Sequence, residues 1–225
     1  MKFEWLPVTR FEQNCSILWC EATSKAAIID PGGDLDQLQN FLELQELTLE
    51  VVLVTHGHMD HAGGAAELAA ANGVRIEGPH PGDEHLIRGL PVQGKRFGLR
   101  AQSFSPDRWL RHGDTITFGS ERIAVLHCPG HTNGHVAYFH EPTKWAFVGD
   151  ILFRQAIGAW EHGDGNLPQL VQSIRSKLFA LGDDVHFLPG HGNTSTFGEE
   201  RCSNPFVSDS AMTAWKGRFG PARRL

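Results

Sequence analysis

The sequence predicts an α/β fold, and three observations carry that prediction. Leu49-Glu50-Val51-Val52-Leu53-Val54 is mostly apolar and β-branched, the composition of a buried strand. It passes through the turn Thr55-His56-Gly57-His58-Met59-Asp60-His61 into the alanine-rich stretch 62–71, a helix once its two glycines are past. The two halves of the chain are alike in kind, each with strands, a turn of metal-binding residue types and a helix. In open α/β sheets, the turn from strand end to helix start is where sites usually lie.

The elements follow in order. Cys15–Cys20 and Ala26–Asp30 are expected as strands, with Glu21 to Lys25 as the turn between them. Pro31-Gly32-Gly33 stops the second strand, and Asp34 is an expected N-cap for a helix to about Leu47. Leu35, Leu38, Phe41, Leu42 and Leu44 are available for its buried face. Val74-Arg75-Ile76 follows as a short strand. Residues 77–112 are broken by glycines and prolines. A helical turn or two is expected around Asp83 to Arg88, and a long insertion beside a site often forms a lid or wall. Thr115–Phe118 and Ile123–His127 form a hairpin over Gly119-Ser120. Val136–Phe139 and Trp145–Val148 form another strand pair. Leu167–Leu181 is an amphipathic helix, and Val185–Leu188 is the last expected strand. One domain over 1–209 is expected, followed by a loose, polar, basic tail over 210–225 that carries Lys216, Arg218, Arg223 and Arg224.

Composition narrows the function classes. The 225 residues suffice for a real core, and 40% hydrophobic with 20% charged residues is ordinary globular composition. A net charge of −6 argues against nucleic-acid or anionic-membrane binding. No apolar run approaches a membrane span, and Met1–Pro7 lacks a signal peptide's apolar stretch. Cys15, Cys20, Cys128 and Cys202 form no CxxC pair, so reduced thiols in a cytoplasm are expected. The 13 histidines point to a metal protein.

Four turns, each after an apolar strand, present metal-type ligands. They are His56/His58/Asp60/His61, Cys128-Pro129-Gly130-His131, Gly149-Asp150 and Pro189-Gly190-His191. His56 and His58, at i and i+2, point the same way in extended chain. Imidazoles and carboxylates suit zinc, iron or manganese. Seven candidates exceed what one ion needs, so two metals with a bridging carboxylate are expected, an arrangement suited to hydrolysis. Lone histidines such as His80, His85, His140 and His186 are expected as surface or packed residues, and His112, His127 and His162 carry no assignment.

His56-Gly57-His58-Met59-Asp60-His61, with His131, Asp150 and His191 downstream in that order, resembles the metallo-β-lactamase fold superfamily. Cys128-Pro129-Gly130-His131-Thr132, Gly149-Asp150-Ile151-Leu152-Phe153 and Pro189-Gly190-His191-Gly192 narrow the resemblance to the glyoxalase II-like hydrolases, nearest the short bacterial YcbL type. It runs from Gln13-Asn14-Cys15 to Asn204-Pro205-Phe206. The resemblance implies an αββα sandwich of two mixed sheets flanked by helices. It implies His56, His58 and His131 on a first metal, Asp60, His61 and His191 on a second, Asp150 bridging, and Asp30 orienting a ligand histidine. The metals are expected to be two divalent ions, zinc first, then iron or manganese. The implied reaction is hydrolysis of a small-molecule thioester, S-lactoylglutathione or a related hydroxyacyl thioester, by metal-bound hydroxide, with Asp60 and Asp150 the catalytic carboxylates.

The resemblance departs at Ala156-Ile157-Gly158-Ala159-Trp160-Glu161. Ala159 stands where glyoxalase II has a basic residue for the glutathione carboxylate, and Arg154 is nearby but off register. The long C-terminal helical extension of glyoxalase II is outside the match, and Trp160 is expected as an apolar wall or a packing residue. Alternatives are a persulfide dioxygenase with a single iron, a lactonase, and a metallo-nuclease, which the acidic balance disfavours.

Overall fold

The computed structural model describes residues 1–219. Its strands are β1 (Lys2–Val8), β2 (Gln13–Trp19), β3 (Lys25–Ile29), β4 (Thr48–Leu53), β5 (Arg75–Glu77), β6 (Thr115–Phe118), β7 (Glu121–His127), β8 (Val136–His140), β9 (Trp145–Gly149), β10 (Leu152–Phe153), β11 (Ala156–Ile157), β12 (His186–Pro189) and β13 (Ser195–Thr196). The helices are α1 (Leu35–Leu44), α2 (Met59–Ala62), α3 (Ala65–Asn72), α4 (Glu84–Arg88), α5 (Leu90–Phe97), α6 (Leu167–Ser173), α7 (Phe197–Ser203) and α8 (Asp209–Phe219).

Two mixed sheets result, ordered β1-β2-β3-β4-β5 and β13-β12-β9-β8-β7-β6, with β10 and β11 as a separate hairpin. Alternation along the strands makes the sandwich. Ala26 and Ile28 of β3 face outward, with Val52 of β4, onto Leu38 and Leu42 of α1 and Leu68 of α3. Ala27 and Ile29 of β3, and Val51 and Leu53 of β4, face inward onto Phe118, Ile123, Val125, Tyr138 and Phe147 of the second sheet. The outer face of that sheet buries Ala137, Phe139, Ala146 and Val148 against Leu170, Ile174 and Phe197. This is the αββα order of layers. β3 and β4 are apolar on both faces because both faces are covered.

Several elements differ from expectation. β1 was not anticipated; it is a half-exposed edge strand that carries Pro7, a residue edges tolerate. Asp34 is no N-cap. Its φ is 51°, it makes no capping bond, and its carboxylate accepts from the Thr9 amide at 2.6 Å. α1 stops at Leu44 because Glu46 turns to φ 51° and Leu47 N–H closes back on the Leu42 carbonyl. α5 forms where glycines and prolines argued against regular structure: Pro91 sits in its first turn, where a missing N–H costs nothing. The helix expected over 167–181 is α6 followed by a π-helical stretch at Ile174–Leu178 and a 3-10 turn at Phe179–Leu181. β13 follows the expected last strand. Residues 209–219 are helical rather than a loose tail, with Met212 packed on the second core; Arg223 and Arg224 lie outside the described residues. Among the described residues no helix is long and apolar enough to cross a membrane.

Candidate metal centre

Four strand ends converge at one edge of the sandwich. β4 leads to His56, His58, Asp60 and His61; β7 leads to His131; β9 leads to Asp150; β12 leads to His191. The edge is tied across the sheets by Asn14 of β2. Its N–H donates to the Gly190 carbonyl at 2.7 Å, and its side-chain amide donates to the Pro189 and Gly192 carbonyls, each at 3.0 Å.

The structure brings together all seven side chains singled out in the sequence, in two groups of three with one carboxylate between. His58 Nδ1 lies 3.0 Å from His56 Nε2 and 3.0 Å from His131 Nε2. In the other group Asp60 Oδ2 lies 3.2 Å from His191 Nε2 and 3.7 Å from His61 Nε2. Asp150 Oδ2 is 3.8 Å from both His131 Nε2 and His191 Nε2, and its Oδ1 is 3.3 Å from His61 Nε2. The outward ring nitrogens are committed. His56 Nδ1 bonds Thr55 Oγ1 at 3.0 Å, His61 Nδ1 donates to Asp30 Oδ2 at 2.8 Å, His131 Nδ1 donates to the Ala159 carbonyl at 2.8 Å, and His191 Nδ1 donates to the Phe11 carbonyl at 3.0 Å. Those bonds fix the tautomer that turns each Nε2 lone pair inward.

The donor set fits divalent metal. His61 Nε2 and Asp150 Oδ1 are buried with no hydrogen-bond partner, an arrangement that is costly unless something else satisfies them. Each group of three has its ligand atoms within 4.8 Å of one another. Asp30, His56 and His61 also satisfy that distance, but the Asp30 oxygens already accept from Thr55 N–H, Thr55 Oγ1 and His61 Nδ1. Asp30 therefore orients rather than ligates. It sits at φ 55°, a left-handed conformation that aspartate tolerates better than most residues.

His135 went unnoticed in the sequence. It is fully buried, stacks on His56 with ring centroids 4.4 Å apart, and is fixed by donating Nδ1–H to the Val136 carbonyl. Its Nε2 accepts the Asp150 N–H at 3.1 Å, so it holds the backbone of the shared carboxylate. It opens an apolar strand four residues after His131, and its bond to a distant backbone N–H leaves no mark in the sequence. Of the other histidines, His140 is buried, His85 pairs with Asp164 at 2.9 Å, and His186 stacks on Trp145. Trp160 packs against Phe206 and the second core rather than standing as a free wall.

The two groups carry opposite proton affinities. Burial drives His56 well below the ordinary histidine value, and burial aided by His131 brings His58 to about 4. Both are neutral, ligand-ready imidazoles at neutral pH. Burial also pulls His61 down, but the carboxylates of Asp150, Asp60 and Asp30 outweigh it and hold His61 well above the ordinary value. Burial would raise Asp150, and His61 overcomes it, leaving that carboxylate far below its usual range. In metal-free protein the His61 imidazolium is thus stabilising. Its contribution is complete below the unfolded value of about 6.5 and is lost as pH rises through the folded value. A metal ion must displace the same proton. The gain in melting temperature conferred by zinc should therefore grow from mildly acid to alkaline pH. Melts of chelator-treated and zinc-loaded protein measure it, and a gain that shrinks with pH would contradict the assignment.

The metallo-beta-lactamase superfamily model matches residues 8–196. The hydroxyacylglutathione hydrolase GloC of Haemophilus influenzae is 42% identical over 213 residues, covering 94% of this chain and all of that protein. Among solved structures, the BLEG-1 B3 metallo-beta-lactamase superposes with TM-score 0.84 at 30% identity, over 92% of this chain and 99% of its own. The protein TTHA1623 in a di-iron-bound form superposes with TM-score 0.82 at 30% identity, over 91% of this chain and 100% of its own.

Proposed function

The chain belongs to the metallo-β-lactamase superfamily, and from that premise we propose that it is a glyoxalase II-type hydrolase that cleaves a hydroxyacyl thioester, S-lactoylglutathione or a close relative, at two divalent metals. The observation that carries the chemistry is Asp150, whose carboxylate faces both three-ligand groups at once. The full-length likeness to a hydroxyacylglutathione hydrolase supports the substrate class. His56, His58 and His131 would hold one ion, and Asp60, His61 and His191 the other, with zinc proposed ahead of iron and manganese.

Bound metal supplies Lewis acidity, which polarises a carbonyl and lowers the pKa of water. The chain's own residues do the rest. Asp30, Thr55, the Ala159 carbonyl and the Phe11 carbonyl keep the imidazoles pointing inward without reorganisation during turnover. Asp60 Oδ2 and Asp150 Oδ2 would orient the attacking water. Water's oxygen bonds to the acyl carbon, the carbon–sulfur bond breaks, and the thiol leaves with the proton. A groove of about 500 Å³ beside this centre is lined by Phe153, Arg154, His191, Gly192 and Asn193. We assign the thiol half of the substrate to it. The Ala159 carbonyl is taken by His131, while Arg154 is an exposed cation on that groove. Four free cysteines, three of them buried, suit the reducing cytoplasm we propose as the location.

Metal analysis alongside a panel of thioester, persulfide and lactone substrates tests the reading. Two equivalents of zinc, iron or manganese with release of free thiol from S-lactoylglutathione is the expected result. One equivalent of iron with oxygen uptake on glutathione persulfide would replace the hydrolase with a dioxygenase.

A further inference from the structure

The segment between the two halves of the ligand set contributes one carboxylate whose hydrogen bonds all go to ligand loops. Asp83 ends the 3-10 turn Pro81–Asp83 and is fully buried. Its Oδ2 accepts from the Gly57 N–H at 2.9 Å and from Thr132 Oγ1 at 2.8 Å, and its Oδ1 accepts from the Gly134 N–H at 2.5 Å. Gly57 lies between His56 and His58, and Thr132 directly follows His131. One carboxylate therefore grips the backbone between two candidate ligands and the residue after the third. The three segments meet with no room to spare. A Cβ on Gly57 would come 2.5 Å from the Leu86 Cβ, and one on Gly134 would come 2.4 Å from the Asp83 nitrogen. Backbone bonds close the same junction, with His80 N–H donating to the Gly134 carbonyl and Asp83 N–H to the His80 carbonyl, each at 3.0 Å.

We propose that Asp83 is a positioning residue that sets the spacing of His58 against His131 by bonding both of their loops. The proposal rests on the reading of His56, His58 and His131 as one metal's ligands. Its physical basis is that one buried side chain bonds both loops, adding to the direct backbone bond from the Val136 N–H to the Thr55 carbonyl at 2.8 Å. His58 and His131 come from different strands, β4 and β7, separated by the long insertion that carries Asp83. Their inward nitrogens stand 3.0 Å apart, and a metal site tolerates little drift in such a spacing. The insertion is thereby a strut of the site as well as a wall beside it. Asp83 touches no reacting atom and acts only through the two loops.

The test uses Asp83→Asn and, as a milder change, Thr132→Val, each stripped of metal and titrated with zinc against a competing chelator. Asparagine fills the same space but turns an amide N–H toward donors that need an acceptor. One zinc equivalent should weaken by about 10–100-fold, the usual cost of losing an outer partner, while the other is unchanged. Thr132→Val should shift the same equivalent by less. Ile174→Val, deep in the second core, controls for lost stability alone. Amide exchange of the metal-free proteins gives a second readout. In Asp83→Asn it should accelerate at Gly57 and at 132–134 while Gln13–Trp19 keeps its protection. Equal weakening of both zinc equivalents, or exchange that rises along the whole chain, would overturn the proposal. A wild-type protein that takes up only one zinc would overturn the two-metal reading instead, and the exchange pattern would still decide Asp83.

Discussion

Asp150→Asn should abolish thioester turnover and leave purified protein short of metal. Its carboxylate faces both groups: Asp150 Oδ2 is 3.8 Å from His131 Nε2 and from His191 Nε2, and Oδ1 faces the unpartnered His61 Nε2 at 3.3 Å. Asparagine keeps the shape and the backbone bond to His135 Nε2, so the fold should survive. It loses the negative charge that would offset two cations. The loss should exceed the about 10–100-fold typical of a partner one shell further out. Metal content by emission spectroscopy and thiol release from S-lactoylglutathione measure it together. An Asp150→Asn enzyme with two metals and wild-type turnover would remove Asp150 from the centre of this reading.

Asp30→Ala should be the most destabilising single change at the site. Asp30 is buried and accepts from the Thr55 N–H at 2.7 Å, Thr55 Oγ1 at 2.6 Å and His61 Nδ1 at 2.8 Å. Alanine leaves those donors unanswered and strips the His61 imidazolium of a partner. Breaking a buried charged pair from one side costs about 3–5 kcal/mol, or a drop in melting temperature of roughly 10 °C for a chain of this size. Urea denaturation of metal-free protein reads the free energy directly. Asp30→Asn should fall between wild type and Asp30→Ala. Wild-type stability in Asp30→Ala would mean that water satisfies Thr55 and His61 as well as the carboxylate does.

How legible each part was follows from the range of the physics behind it. The α/β class and the turns that carry His56, His58, Asp60, His61, His131, Asp150 and His191 rest on local signals, apolar strands each ending in a turn with an imidazole or carboxylate, whereas the αββα order of layers was legible only through resemblance. Asp30 was legible only through resemblance, because its role depends on a left-handed turn and on donors from another strand. His135 and Asp83 were opaque for one reason. Each acts on a backbone N–H far along the chain, a partner that neither the His131–His135 spacing nor the run Asp83-Glu84-His85 reveals. β1 was hidden by the proline in its strand, and α5 by Pro91 and Gly94, which a helix start and a close contact with Leu99 and Ala101 accommodate. The break at Ile174–Leu178 follows from an extra residue per turn, which an apolar stripe does not reveal.

The four strand ends belong to two sheets, and each sheet has its own helices and its own outer core. Metal shared across that edge would therefore behave as a reversible cross-link between two half-molecules. The links it would make join residues as far apart along the chain as Asp60 and His191, and closing such a loop costs conformational entropy that the unfolded chain need not meet. With metal in place, the sheets would open only together. Without it, Asn14, Asp83, the Tyr138 hydroxyl on the Val54 carbonyl and the inter-sheet apolar layer are among the links that keep the halves from opening one at a time. The same ions that activate water would then also determine whether this protein unfolds as one cooperative unit or as two.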